Sequence, residues 1–225
     1  MDIFEGRQAI RERLLSDATH RMKNIMGGIS GFAALILKDL DEGSHHYPLV
    51  ERIQENVIRL DQFLLDVMTL VRERTMYSET IDLPSTVRDV CVNHYADPAD
   101  DNPDYPFKIE SSPSRIPFRA DPLLIRNGLY HALQIVDALS SKIETLRIES
   151  DDAAVSLRYI FVCDKSLNAL KEDILAGLGS IESVDIQLSL AVCLKLMRMH
   201  QGEVQIDHLD GKRWIFLLRF SLNDR

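Results

Sequence analysis

Long apolar runs are missing from this sequence. No stretch approaches the ~20 apolar residues that a membrane-spanning helix needs, which excludes a helical span. The N-terminus, "MDIFEGRQAIRERLL", is charged and lacks the apolar core of a signal peptide, so a cytoplasmic location is expected. Cysteine is scarce. Cys91, Cys163 and Cys193 show no CxxC spacing and sit among apolar residues, which reads as reduced core cysteine rather than a metal or redox site. A surplus of positive charge is absent as well. With 26 Lys and Arg against 35 Asp and Glu the net charge is −9, which argues against nucleic acid as a main partner. There is no low-complexity tract and no internal repeat. Proline is nearly absent from residues 3–77, where only Pro48 occurs, while residues 81–225 hold seven of the eight.

What remains is a chain 45% hydrophobic and 27% charged, ordinary for one or two folded domains. In the proline-poor segment, Leu15, Ala18, Met22, Ile25, Ile29, Phe32 and Ile36 recur at alternating steps of three and four. Val50, Ile53, Val57, Leu60, Leu64, Val67 and Val71 do the same. This is the ~3.5-residue repeat of supercoiled helices. Between the two runs lies "DEGSHHYP", with Gly43 suited to a helix stop and Pro48 to a helix start. An antiparallel helical hairpin follows. One hairpin cannot cover both of its seams, whereas two can close a four-helix bundle, so a homodimer is expected. The later segment alternates short apolar strands with helices. The expected division is residues 1–78 and 79–225.

The stretch "DATHRMKNIMGGISGF" (17–32) sits oddly in the first helix. With Leu15 and Met22 at a positions and Ala18 at d, His20 and Gly27 fall at f, facing water. Asn24 and Gly31 fall at c, on the same outer side. Each glycine costs a helix up to ~1 kcal/mol relative to alanine. On an outward face two reasons can explain that cost: close approach of another backbone, or helix plasticity at that point.

"HRMKN" followed by "GGISGFAALIL" resembles the phosphoacceptor box of two-component histidine kinases. In that family a helical-hairpin dimer carries a phosphorylatable histidine on the outer face of its first helix, and a catalytic ATP-binding domain follows. The rest of the chain is similar in order but eroded. "ADPLLIRNGLYHALQIVDAL" resembles the helix that carries the family's paired asparagines. "LRYIFVCDKSLNAL" resembles the strand leading to the Asp-x-Gly-x-Gly adenine loop. "LSLAVCLKLMRMHQGEVQIDHLDGKRWIFLLRFSL" resembles the last helix and terminal β-hairpin, with His200-Gln201-Gly202 where the family has His-Gly-Gly. The resemblance implies a hairpin bundle followed by a kinase-like α/β sandwich.

The same resemblance shows what is missing. The paired asparagines that hold magnesium and phosphate match His131 and Ile135 here, and isoleucine offers no oxygen donor to a hard cation. Asp164 is retained, but Ser166 and Asn168 stand for the loop's glycines. Gln187 and Ser189 stand for the phosphate-side Gly-x-Gly, where side chains obstruct backbone approach to phosphate. "GLGS" (177–180) is the one glycine cluster available as a displaced loop, with Ser180 or Ser183 read instead as a helix cap.

The implied function is therefore histidine phosphotransfer without ATP, passing a phosphoryl group between receiver-domain aspartates of response regulators. His20 is the expected acceptor and donor. Arg21 and Lys23 are candidates for charge stabilisation and docking, or plain solvated charges. Asn24, one turn on, matches a family position that can orient a water. Gly27, Gly28 and Gly31 are the expected docking strip. Arg21 stands where the common box has an acidic residue. No cofactor is expected on this chain, magnesium coming with the receiver. Two other readings are a pseudokinase binding module without phosphotransfer and a divergent active sensor kinase. Elsewhere, His45-His46 reads as a solvated turn, and His94, His131 and His208 show no cluster logic. The acidic, proline-rich "ADPADDNPDYP" (96–106) reads as an exposed loop, and Trp214 as strand packing.

Overall fold

The computed structural model describes residues 3–41, 43–71, 75–95, 105–168, 171 and 184–222. The chain divides into two compact units, Met1–Arg74 and Thr75–Arg225.

The first unit is a helical hairpin. Helix α1 (Ile3–Asp39) ends just before the Gly43 turn, and α2 (Tyr47–Val71) begins with Pro48 at its second residue. The seam within one hairpin differs from the expected heptad stripe. Among the described residues of α1, Thr19, Met26 and Ala33, spaced by seven, are the buried positions. They meet the side of α2 that buries Val50, Leu64 and Met68. Met22, Ile25, Ile29, Phe32 and Ile36 are exposed in the single hairpin, as are Ile53, Leu60 and Val71. The physical reason is that a hairpin has two seams on each helix. The smaller residues let α1 and α2 approach, and the bulky aliphatic stripe faces away. Thr19 tolerates burial because its hydroxyl donates to the Leu15 carbonyl at 2.8 Å.

In the second unit, β1 (Glu79–Asp82) and β3 (Pro117–Ala120) form a two-stranded antiparallel ribbon. The main sheet joins β2 (Lys108–Ser112), β4 (Lys142–Ser150), β5 (Ala154–Val162), β7 (Arg213–Ser221) and β6 (Gly202–Asp210) in the order β2-β4-β5-β7-β6. Only the β2–β4 pairing is parallel. Helices α3 (Leu83–Tyr95), α4 (Pro122–Leu139) and α5 (Val184–Met199) pack on one face. Period-two alternation places Val155, Leu157, Tyr159 and Phe161 of β5, and Trp214, Phe216, Leu218 and Phe220 of β7, in a core shared with Leu129, Leu133 and Leu190. Trp214 is thus strand packing. All three cysteines are free and buried. Burial pushes the Cys91 and Cys193 thiols up to about 12, which keeps them protonated and inert.

Helix α4 starts at a strong cap. Asp121 accepts from the backbone N–H groups of Leu123 and Leu124, with Pro122 at the first helical position. The chain turns out of α5 through Gln201, whose φ of 53° is left-handed. Gly202 follows in a tight fit: a Cβ there would lie 2.7 Å from Met197 Cε and 2.9 Å from the Arg219 carbonyl. Of the residues at this helix stop, only Gln201 bears an unfavourable backbone for its type. Gln201→Gly should therefore stabilise the domain by about 0.5–1 kcal/mol, read as a rise in the denaturant midpoint at unchanged m-value.

One sequence expectation needs correcting. His94 is not isolated. Its Nε2–H donates to Asp137 Oδ2 at 2.6 Å, and the Tyr95 hydroxyl donates to Oδ1 at 2.6 Å. The two donors come from α3 and the carboxylate from α4, so the cluster clamps these helices together. Burial and the Asp137 carboxylate push the Tyr95 phenol up, which keeps it a donor. His208 also has a local task, donating from Nε2 to the Gly211 carbonyl at 3.0 Å across the β6–β7 turn.

Candidate functional site

His20 lies in the middle of α1 and is exposed. At 3.6 residues per turn, its direction is about 120° from the buried Met26 stripe and about 160° from the exposed aliphatic stripe. Gly27 and Gly31 point within about 20° of His20, and Asn24 within about 40°. All three are exposed. Nothing lies within 4 Å of the place a Cβ would occupy at Gly27, Gly28 or Gly31. No packing within this unit requires glycine at these points.

Three of the sequence candidates lie off this stripe. Arg21 and Gly28 are exposed but turn about 100° and 80° away, toward the aliphatic stripe. Lys23 turns toward α2, and its Nζ lies 3.1 Å from Asp61 Oδ1. That ion pair fixes the height of α2 beside His20: in an antiparallel hairpin, position 20 faces about position 64. Sequence reasoning missed two residues on α2. Ile58, at 70% exposure, and Leu65 are open apolar side chains on the side of α2 away from its aliphatic stripe, on the His20 flank of the hairpin. They break the heptad of α2, and that break was the available signal. His45 and His46 are exposed in the turn, the His46 amide donating to Ser44 Oγ at 3.3 Å.

The positions that match the family's nucleotide residues differ in their surroundings. His131 and Ile135 are both fully buried in the core, where α4 meets its neighbours. The His131 ring lies edge-on to Tyr130 at 5.7 Å. Ser189 is inside α5, and its hydroxyl donates to Gln134 Oε1 of α4 at 3.1 Å. Its amide belongs to a helical turn and is not free to cradle a phosphate. Asp164 is exposed and bonded to Lys212 Nζ at 2.6 Å, which raises the lysine's pKa. An open cleft of about 380 Å³ surrounds that pair, lined by Ser166, Asn168, His208 and Trp214 among others, and by no residue of α4. Magnesium needs oxygen ligands, and the buried His131 and Ile135 supply none. At these two positions the residues present do not fit a magnesium ligand. The "GLGS" cluster, its flanking Ser183 and residues 96–104 lie outside the described residues.

Residues 10–75 match the model of the His Kinase A (phospho-acceptor) domain family. Solved structures extend the likeness through the second unit. Full-length ShkA, solved in complex with AMPPNP, superposes with a TM-score of 0.71 at 15% identity over 92% of this chain and 45% of that one. The chain has the fold of a histidine kinase's phospho-acceptor hairpin followed by its α/β domain. The ThkA histidine kinase, solved in complex with the response regulator protein TrrA, gives a TM-score of 0.58 at 18% identity, covering 96% of this chain and 63% of that one. AdeS of Acinetobacter baumannii gives 0.55 at 14% identity, over 89% and 95%. The chain thus spans less than half of ShkA and under two thirds of ThkA. No curated protein matches its sequence. Among the described residues, no helix is long and apolar enough to cross a membrane.

Proposed function

We propose that this histidine kinase-like protein is a cytoplasmic, homodimeric histidine phosphotransfer protein that relays phosphoryl groups between response-regulator aspartates through His20 without using ATP. One contrast supports this reading. The histidine stripe is open and exposed, whereas the positions matched to nucleotide handling are buried, helical or ion-paired. A receiver partner fits the solved pairing of the similar ThkA with a response regulator.

The chemistry asks little of this chain. The neutral His20 imidazole nitrogen attacks the phosphorus of a receiver's aspartyl phosphate. The N–P bond forms as the P–O bond to the aspartate breaks, and that electron pair leaves on the carboxylate. The proton from the other ring nitrogen passes to water. Transfer onward reverses these steps. The receiver brings magnesium and its own acidic residues. In this reading Asn24, one turn from His20, holds a water or a phosphoryl oxygen. Gly27 and Gly31 leave room for the receiver's backbone, and Ile58 and Leu65 offer it apolar contact.

The deciding experiment compares two donors. Radiolabelled phospho-receivers should label the protein with acid-labile phosphate, and ATP with magnesium should not. No transfer from any of the host's receivers to folded protein would leave a binding module without phosphotransfer. Label from ATP on His20 would make it a kinase. The glycines give a second test. Gly27→Ala with Gly31→Ala meets no steric obstacle in the hairpin and should stabilise α1 by about 1 kcal/mol per site. Transfer from the cognate receiver should nevertheless slow by about tenfold or more, because the added methyls stand where a backbone must approach.

A further inference from the structure

The open cleft of about 380 Å³ in the second unit has no part in the proposed phosphotransfer. It is lined by residues that follow β5 and by residues at the β6–β7 turn, and its described lining includes none from α4 or α5. Its size is that of a small-molecule site, ~300–1,000 Å³. Trp214 is the buried member of the lining, packed into the core and 4% exposed. It meets the His208 ring edge-on at 5.0 Å. Among the described residues, its indole N–H has no hydrogen-bond partner. A donor this deep costs free energy for as long as it lacks an acceptor. Packing uses the ring of Trp214 and leaves its one polar atom idle.

The exposed part of the lining is rich in donors and positive. Lys165 and Lys212 stand against a single carboxylate, Asp164. Lys212 Nζ holds that carboxylate at 2.6 Å and so offsets its charge. Among the described residues, Lys165 has no ion-pair partner. This local surplus of positive charge belongs to a chain of net charge −9. Exposed Ser166 and Asn168 add short hydrogen-bonding side chains. His208 spends its Nε2–H on the Gly211 carbonyl, which leaves a lone pair at Nδ1. We propose that this cleft binds a small hydroxylated oxyanion, a phosphate ester or a hydroxycarboxylate. The Trp214 N–H donates to an oxyanion oxygen at depth, and Lys165 supplies the charge that holds it. Ser166 and Asn168 donate at the rim, and His208 Nδ1 accepts from a ligand hydroxyl. The site stands on the geometry of the second unit and is independent of phosphotransfer through His20.

Trp214 is the one tryptophan of the chain, so the full-length protein gives a single indole N–H resonance in a proton–nitrogen correlation spectrum. Glycerol 3-phosphate and citrate, titrated at constant ionic strength, serve as probes for the two ligand types. At least one of them should move that resonance and saturate, with a midpoint of about 1 mM or lower. The tighter of the two tells phosphate ester from hydroxycarboxylate. Inorganic phosphate carries no alcohol group for His208 and should bind roughly fivefold more weakly than the better probe. Lys165→Gln should raise the midpoint by about tenfold, as expected for loss of a charge-assisted hydrogen bond. Lys165 is exposed, so this substitution leaves the fold intact. A resonance that stays still with both probes, or moves without saturating, overturns the proposal. So does an unchanged midpoint in Lys165→Gln. Inorganic phosphate binding as tightly as the better probe would reduce the cleft to an adventitious ion only, and would overturn it as well.

Discussion

His20→Gln should end phosphotransfer while leaving the fold untouched. Glutamine has good helix propensity, and position 20 is exposed on α1 with no packing role. Helicity, dimerisation and thermal stability should match wild type. The acid-labile label acquired from a phosphorylated receiver should fall by on the order of 10³-fold or more, since the amide of glutamine is no nucleophile. The comparison is informative because the hairpin carries two other exposed histidines, His45 and His46, in its turn. If the glutamine variant still took label, one of these would be the acceptor. The double variant His45→Gln/His46→Gln should transfer as wild type does. Arg21 and Asn24 enter as modifiers: alanine at either should slow transfer without abolishing it, because neither supplies the bonding electrons.

The hairpin was legible in the sequence because its two signals are periodic and local. Heptads fix the helices, and Gly43 and Pro48 fix the turn between them. The same periodicity placed His20 outward, and its exposure agrees. It did not show which seam lies within one chain, because Thr19 looks polar until its bond to Leu15 is seen, and Ala33 looks neutral. The α/β unit was legible through its order of motifs, and the departures at His131, Ile135, Gln187 and Ser189 through residue type alone. Where those departures go was not legible. Ser189 meets Gln134 across 55 positions, His94 meets Asp137 across 43, and Asp121 meets His200 across 79. No periodic pattern reports such pairs. Gln201 illustrates a different limit. Its left-handed backbone is the conformation for which glycine is ordinarily chosen, so residue type misreports the turn.

Charging the aliphatic stripe should take the protein apart into monomers. Ile25 is 64% exposed and Phe32 70% exposed in the single hairpin, with Met22, Ile29 and Ile36 along the same line of α1. On α2, Ile53, Leu60, Phe63 and Val71 are open as well. Relative to the buried seam, the stripes of both helices turn in the direction that brings them to one flank of an antiparallel hairpin. A contiguous apolar flank of this kind marks an interface, and a second copy offers its complement by two-fold symmetry. Burying each such side chain contributes about 1.5–3 kcal/mol, and in a symmetric dimer every substitution counts twice. Ile25→Asp with Phe32→Asp should therefore weaken association by several orders of magnitude, at about 1.4 kcal/mol per tenfold. Sedimentation at micromolar concentration should show a dimer for wild type and a monomer for the variant. A wild-type monomer, or a variant that stays dimeric, would refute the four-helix bundle. The proposed dimer and the proposed role of His20 are compatible. In that dimer the histidine of each copy, lying about 160° from the aliphatic flank, would stay open to a receiver.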